Sequence, residues 1–162
     1  MKTPHEVSRH TPHIVRRRSL ILGAVGAVAV AAGGYAYIST PPAFAGGELS
    51  VSEAHRKAAS DEITLVDIRR PDEWKMTGIG EHALALDMRR DNFADLLKDH
   101  VGGDFDAPIA LICAAGVRSA RLSNRLTQAG FTNIINVPEG MRGSAAGPGW
   151  IKAGLPTKTW TE

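Results

Sequence analysis

Residues 46–162 alternate short apolar runs with stretches that carry apolar side chains at helical spacing, a rhythm that predicts strands separated by helices. Ile63-Thr64-Leu65-Val66 is nearly continuous and stops at Asp67; Ile109-Ala110-Leu111-Ile112, bounded by Pro108, stops at Cys113; residues 83–86 and 133–137 read as two further strands. Runs without polar alternation mark strands covered on both faces. Between them, Ser52 is the expected N-cap of a helix over 53–59, and Pro71 with Asp72 and Glu73 opens a short helical turn. Asp91 or Asn92 caps a helix presenting Phe93, Leu96 and Leu97, and a helix over 119–129 carries Leu122, Leu126 and Ala129 with Gly130 as its stop. The pattern predicts one α/β domain, a sheet of about five mostly parallel strands flanked by helices on both faces. Ligands of such open sheets sit outside the carboxyl ends of the strands, where Asp67 and Cys113 both fall.

The front of the chain follows a different pattern. Residues 5–18 are polar and basic, residues 20–38 are apolar, uncharged and rich in Gly and Ala, and Ala43-Phe44-Ala45 supplies an A-x-A cleavage signature before Gly46. These are the three parts of an export signal, which puts the processing boundary at 45 and the rest of the chain in the periplasm. Arg17-Arg18-Ser19-Leu20-Ile21 resembles the twin-arginine signal, with Leu20 where a Phe is usual. The alternative is an uncleaved anchor facing the periplasm, since residues 20–38 approach the length of a spanning helix.

Charge changes meaning once the leader is set aside. The 162-residue chain carries a formal +2, but five of its 19 Lys and Arg and one of its 17 Asp and Glu lie in the first 45 residues, leaving net −2 for the remainder. Without a clustered basic face, nucleic acid is not an expected partner, and the membrane is met only through the leader if it stays attached. His55, His82 and His100 show no metal-ligand spacing and there is one cysteine, so no metal or other cofactor is expected; a Gly-rich phosphate fingerprint is also missing. Trp74, Trp150 and Trp160 read as core and tail packing.

That single cysteine, Cys113, excludes an internal disulfide in a compartment that permits them, so its presence points to reactivity. It sits in a strand-to-helix turn, Ala114-Ala115-Gly116-Val117-Arg118, where backbone N–H groups and the positive end of a helix favour an anion, and the thiolate is itself one. Arg118, with its planar fork, is either a contact for an oxyanion or the partner of a helix-surface acid. Ser119 either lends its N–H to the anion loop or serves as the helix N-cap.

The order of these features resembles the rhodanese family of sulfurtransferases from about Val51 to Pro156. Leu65-Val66-Asp67-Ile68-Arg69 with Pro71, Glu73 and Trp74 looks like the family's early motif, and Cys113-Ala114-Ala115-Gly116-Val117-Arg118-Ser119 looks like the active loop of its single-domain members. Val137-Pro138-Glu139-Gly140-Met141, Gly149-Trp150 and Ala153-Gly154-Leu155-Pro156 look like its C-terminal signature, whereas Thr77-Gly78-Ile79-Gly80-Glu81-His82-Ala83 departs from the usual His-Ile-Pro-Gly-Ala arrangement. The resemblance implies a persulfide enzyme: the Cys113 thiolate takes the outer sulfur of a donor such as thiosulfate and yields it to cyanide, a thiol or a protein acceptor. The N–H groups from Ala115 to Ser119 would bind the persulfide sulfur or a sulfonate oxygen, with Ala114 and Gly116 keeping the loop open, while Asp67 and Arg69 would support it through ion pairs.

Two other readings compete. A cysteine phosphatase or arsenate reductase of the same fold has five residues between Cys and Arg and usually a His before the Cys; here four intervene and Ile112 precedes Cys113. A sulfur-carrier or binding module with little small-molecule turnover fits the uncharged Ala114 and Ala115, which offer thiosulfate no cation.

Overall fold

The computed structural model describes residues 40–161, together with Gly34 and Ala36. The expected leader, residues 1–45, lies outside the described residues except for Gly34, Ala36 and residues 40–45. One compact unit runs from Thr40 to Glu162.

Its main sheet has five strands, β1 (Gly47–Glu48), β2 (Thr64–Asp67), β4 (Leu84–Ala85), β5 (Ile109–Ile112) and β6 (Ile134–Val137), in the order β1-β6-β5-β2-β4. Every pairing in it is parallel. β3 (Ile79–Gly80) and β7 (Thr157–Lys158) form a separate antiparallel pair. The helices are α1 (Val51–Ala59), α2 (Pro71–Thr77), α3 (Phe93–His100), α4 (Val117–Gln128) and α5 (Gly149–Lys152).

The period of two along a strand explains how one apolar run serves two cores. In β5, Ile109 and Leu111 join the cluster under α3 and α4, with Phe93, Leu97, Leu122 and Leu126. Ala110 and Ile112 join the cluster under α1 and α5, with Val51, Ala54, Ala58 and Trp150. Each fully buried Ile or Leu contributes about 1.5–3 kcal/mol, so β5, buried at all four positions, is the spine of the molecule. Cys113 continues the alternation onto the α3/α4 side.

Local chemistry moved several expected boundaries. Ser50, not Ser52, caps α1, because its hydroxyl accepts from the Glu53 N–H while the Glu53 carboxylate accepts from the Ser50 N–H, a reciprocal capping box. α4 starts at Val117 rather than Ser119, because Gly116 takes the left-handed conformation (φ 82°) as its N-cap. The strand expected over 83–86 pairs only at Leu84–Ala85. β1, β3 and β7, two residues each, carry no periodicity to read. Trp74 and Trp150 are buried, and Trp160 lies against Trp74 with ring centroids 5.3 Å apart.

The domain's apolar contacts also reach into the expected cleavage signature. Phe44, half-buried, packs on the α3/α4 core, and the Asn124 side chain donates to the Ala43 carbonyl at 3.0 Å. Phe44→Ala is therefore expected to cost about 1–2 kcal/mol, less than the 3–5 of a fully buried Phe, and to lower the Tm of the 40–162 unit by roughly 5–10 °C in thermal unfolding.

Candidate active site at the end of the central strand

After β2 the chain proceeds to β4 on one side, and after β5 it proceeds to β6 on the other. The carboxyl ends of β2 and β5 thus flank the point where the winding reverses, and a crevice forms there because the connections diverge. Asp67 ends β2, and Cys113 follows Ile112, its neighbour in register. The Cys113 side chain is 1% exposed.

The segment after β6 supports the Cys113 loop from behind. Met141 N–H donates to the Cys113 carbonyl at 2.8 Å and Arg142 N–H to the Ala114 carbonyl at 2.9 Å. A Cβ on Gly116 would run into the Pro138 carbonyl, and one on Gly140 would lie 2.6 Å from the Ala114–Ala115 peptide, so both positions need glycine for close approach as well as for positive φ. The supporting segment is itself held by Glu139, whose buried carboxylate accepts from Val51 N–H at 3.1 Å and Gly149 N–H at 3.1 Å, joining the starts of α1 and α5. Nothing in its sequence context distinguishes that role from an ordinary turn acid; only the two helix starts brought to it by the fold reveal it.

With the loop carbonyls turned to that support, the loop meets the first turn of α4, whose N–H groups lack intrahelical acceptors. Ser119, inside that turn rather than its N-cap, places its hydroxyl 3.5 Å from Cys113 Sγ and 3.0 Å from the Gly116 carbonyl. One hydroxyl carries one hydrogen, so Ser119 can turn it from the carbonyl to a charged sulfur. Ala115 and Val117 are half-buried and Ala114 is buried, so the loop's side chains ahead of Arg118 are all uncharged and apolar.

Arg118 does not extend an open fork. Its Nη1 and Nη2 each donate to one Glu73 carboxylate oxygen at 2.7 Å, with the Glu73 side chain 11% and the Arg118 side chain 30% exposed. Burial by itself would raise the Glu73 carboxyl; the Arg118 hydrogen bonds, the Arg70 N–H and the charges of both arginines outweigh it and hold the group below its ordinary value. Arg118 is held above its own ordinary value by the Glu73 hydrogen bonds first, against desolvation, with the Cys113 and Glu73 charges adding. In the sequence Glu73 reads as a helix-start acid; its position three residues after Arg70 signals a cap and carries no hint of a partner 45 residues away.

Asp67 and Arg69 lie deeper. Both side chains are sealed from solvent, and Arg69 donates from Nε and Nη2 to the Asp67 carboxylate at 2.7–3.0 Å. Its remaining donors reach the Thr77 hydroxyl at 2.8 Å and the Gly78 carbonyl at 2.7 Å, at the end of α2. Neither residue faces the thiol.

A model of the rhodanese-like domain matches residues 50–146. The chain belongs to the rhodanese-like family. Among solved structures, this rhodanese-like chain is similar to the polysulfide-sulfur transferase homodimer of Wolinella succinogenes, with 29% identity, a TM-score of 0.55, and coverage of 72% of this chain and 81% of that one. A M. tuberculosis protein shares the fold, at TM-score 0.56 and 24% identity, over 73% of this chain and all of that one. An uncharacterized protein of Rickettsia prowazekii is 30% identical over 99 residues, 57% of this chain and 80% of its own length. The five-stranded parallel sheet with helices on both faces is the rhodanese-like fold. Within it, Glu73 belongs to the early motif, and the fold turns that residue onto Arg118 of the Cys113 loop.

Two stability effects follow from these pairs. Asp67→Asn leaves the sealed Arg69 guanidinium without a counter-charge and is expected to cost about 3 kcal/mol or more in urea unfolding. For Glu73, whose folded value is depressed, the stabilisation is complete at neutral pH and is lost as pH falls through the ordinary carboxylate range to the lowered one. The unfolding free-energy difference between wild type and Glu73→Gln should therefore be constant from pH 8 to 6 and shrink steadily on further acidification.

Proposed function

We propose that this chain is a sulfurtransferase that moves a sulfane sulfur from a donor such as thiosulfate to a nucleophilic acceptor, cyanide or a thiol, through a persulfide on Cys113. The observation that carries the reading is the seat of the chain's single thiol: at the winding reversal of a rhodanese-like sheet, against the first turn of α4, with the Ser119 hydroxyl 3.5 Å from its sulfur.

The Cys113 thiolate attacks the outer sulfur of thiosulfate; the new S–S bond forms, the old one breaks, and sulfite leaves with its electron pair. The persulfide sulfur then bonds to the carbon of cyanide, and thiocyanate departs as the Cys113 thiolate is regenerated. Charge balances in both halves, so the scheme requires no general base. The loop's work is electrostatic: α4's N-terminal N–H groups and the Ser119 hydroxyl stabilise negative charge on whichever sulfur bears it, the thiolate first and the outer persulfide sulfur next. The name of the Wolinella relative supports a donor carrying a chain of sulfurs as well as thiosulfate. The basic residues 5–18, apolar residues 20–38 and Ala43-Phe44-Ala45 support export, with the reaction on the periplasmic side of the membrane.

Incubation with thiosulfate followed by intact mass measurement should add one sulfur, about 32 Da, that cyanide removes and that Cys113→Ser does not acquire. A Cys113→Ser protein that keeps turning over sulfur would eliminate the persulfide route.

A further inference from the structure

Arg118, the cation that acts on Cys113, is already paired. Arg118 gives both Nη groups to Glu73. Beside it, Arg70 clasps Asp72 through Nε and Nη2 at 2.9 and 2.7 Å, and Arg89 clasps Asp87 through Nε at 3.0 Å and through Nη2. These groups act on one another, Arg70 on Glu73, Asp87, Arg89 and Arg118, so they form one array of three cations and three anions. The loop itself adds only Ala114, Ala115, Gly116 and Val117.

Resting on the sulfur-transfer reading, we infer that Glu73 is a specificity-determining residue: by occupying Arg118's fork it keeps the mouth of the site electrically neutral. That neutrality selects against doubly charged thiosulfate and favours a donor of the hydropersulfide class, R–S–SH. A dianion approaching Cys113 meets a guanidinium whose charge the Glu73 carboxylate already offsets, and it forfeits hydration for little net attraction. A hydropersulfide brings at most one charge and a slender chain that small Ala114, Ala115 and Gly116 admit. The step balances: the Cys113 thiolate attacks the outer sulfur of R–S–SH, a new S–S bond forms as the donor's S–S bond breaks, R–S− leaves with the electron pair, and Cys113–S–SH keeps the proton. Residues of α2 thereby set donor choice for a thiol carried on a loop 40 positions away in sequence.

Alkylation of Cys113 by iodoacetate and by neutral iodoacetamide isolates the charge of the mouth, because both reagents attack the same thiolate and any change in its population cancels in the ratio of their rates. Glu73→Gln, which keeps the side chain's shape and frees Arg118's charge, should raise the iodoacetate-to-iodoacetamide ratio about three- to tenfold, an increase that 0.5 M NaCl largely removes. Arg118→Gln, which strands the Glu73 carboxylate, should lower it by a similar factor. In Glu73→Gln the thiosulfate KM should fall about tenfold with kcat within twofold, while loading from the hydropersulfide of 2-mercaptoethanol stays within twofold of wild type. Ratios within twofold of wild type in both variants, with near-native thermal unfolding, would overturn the inference. Should the ratios move while no sulfane donor loads wild-type Cys113, the sulfur-transfer reading and the donor assignment fall together, and Glu73's control of charge at the thiol is upheld.

Discussion

A sealed ion pair at the end of β2 orders one half of the site without touching the thiol. Asp67 and Arg69 lie two residues apart, and the pair leaves Arg69 with donors to spare, which it extends to Thr77 and Gly78 at the far end of α2. Such a charge is costly in an apolar interior unless every donor is met, so α2 must close over Arg69 in one position. Closing it there delivers Glu73, on the first turn of the same helix, to Arg118 on the first turn of α4. A buried pair with its bonds turned to α2 thus places Glu73 against Arg118.

The other half is ordered through backbone. The segment from Pro138 to Arg142 ties the Cys113 and Ala114 carbonyls with its own N–H groups, and the Glu139 carboxylate anchors that segment to the starts of α1 and α5. Orienting the carbonyls to this support matters electrostatically, because a carbonyl aimed at a thiolate would repel it. Gly116 and Gly140 make the approach possible: a methyl group at either would collide with main chain that has nowhere to move. The seat of Cys113 therefore depends on residues from both ends of the domain, Glu139 joining the starts of α1 and α5 to the segment behind the loop.

Much of this architecture was legible in the chain. The unbroken apolar runs identified β2 and β5 as strands covered on both sides, their ends located Asp67 and Cys113, and the spacing of Leu122 and Leu126 oriented α4. Helix starts were less legible, since Ser50 and Ser52 are equally good caps until Glu53 completes a capping box with one of them. β1, β3 and β7 left no trace, because pairing that short depends on neighbours and not on pattern.

What the amino-acid sequence determined by itself is a mostly parallel sheet of about five strands flanked by helices, and a lone thiol at a strand-to-helix turn, all of which follow from local periodicity and from residue types that act over a few positions. The tertiary structure alone decided where the charges go. Arg118 was readable as a ligand for an oxyanion or as the partner of an acid, and only the folded chain, which carries Glu73 across 45 positions, assigns it to that carboxylate. Glu139 likewise reads as a turn acid until two helix starts converge on it. Coulomb attraction and hydrogen bonding operate through space, and a linear pattern holds no record of which distant partner the packing of an apolar core will bring within 3 Å.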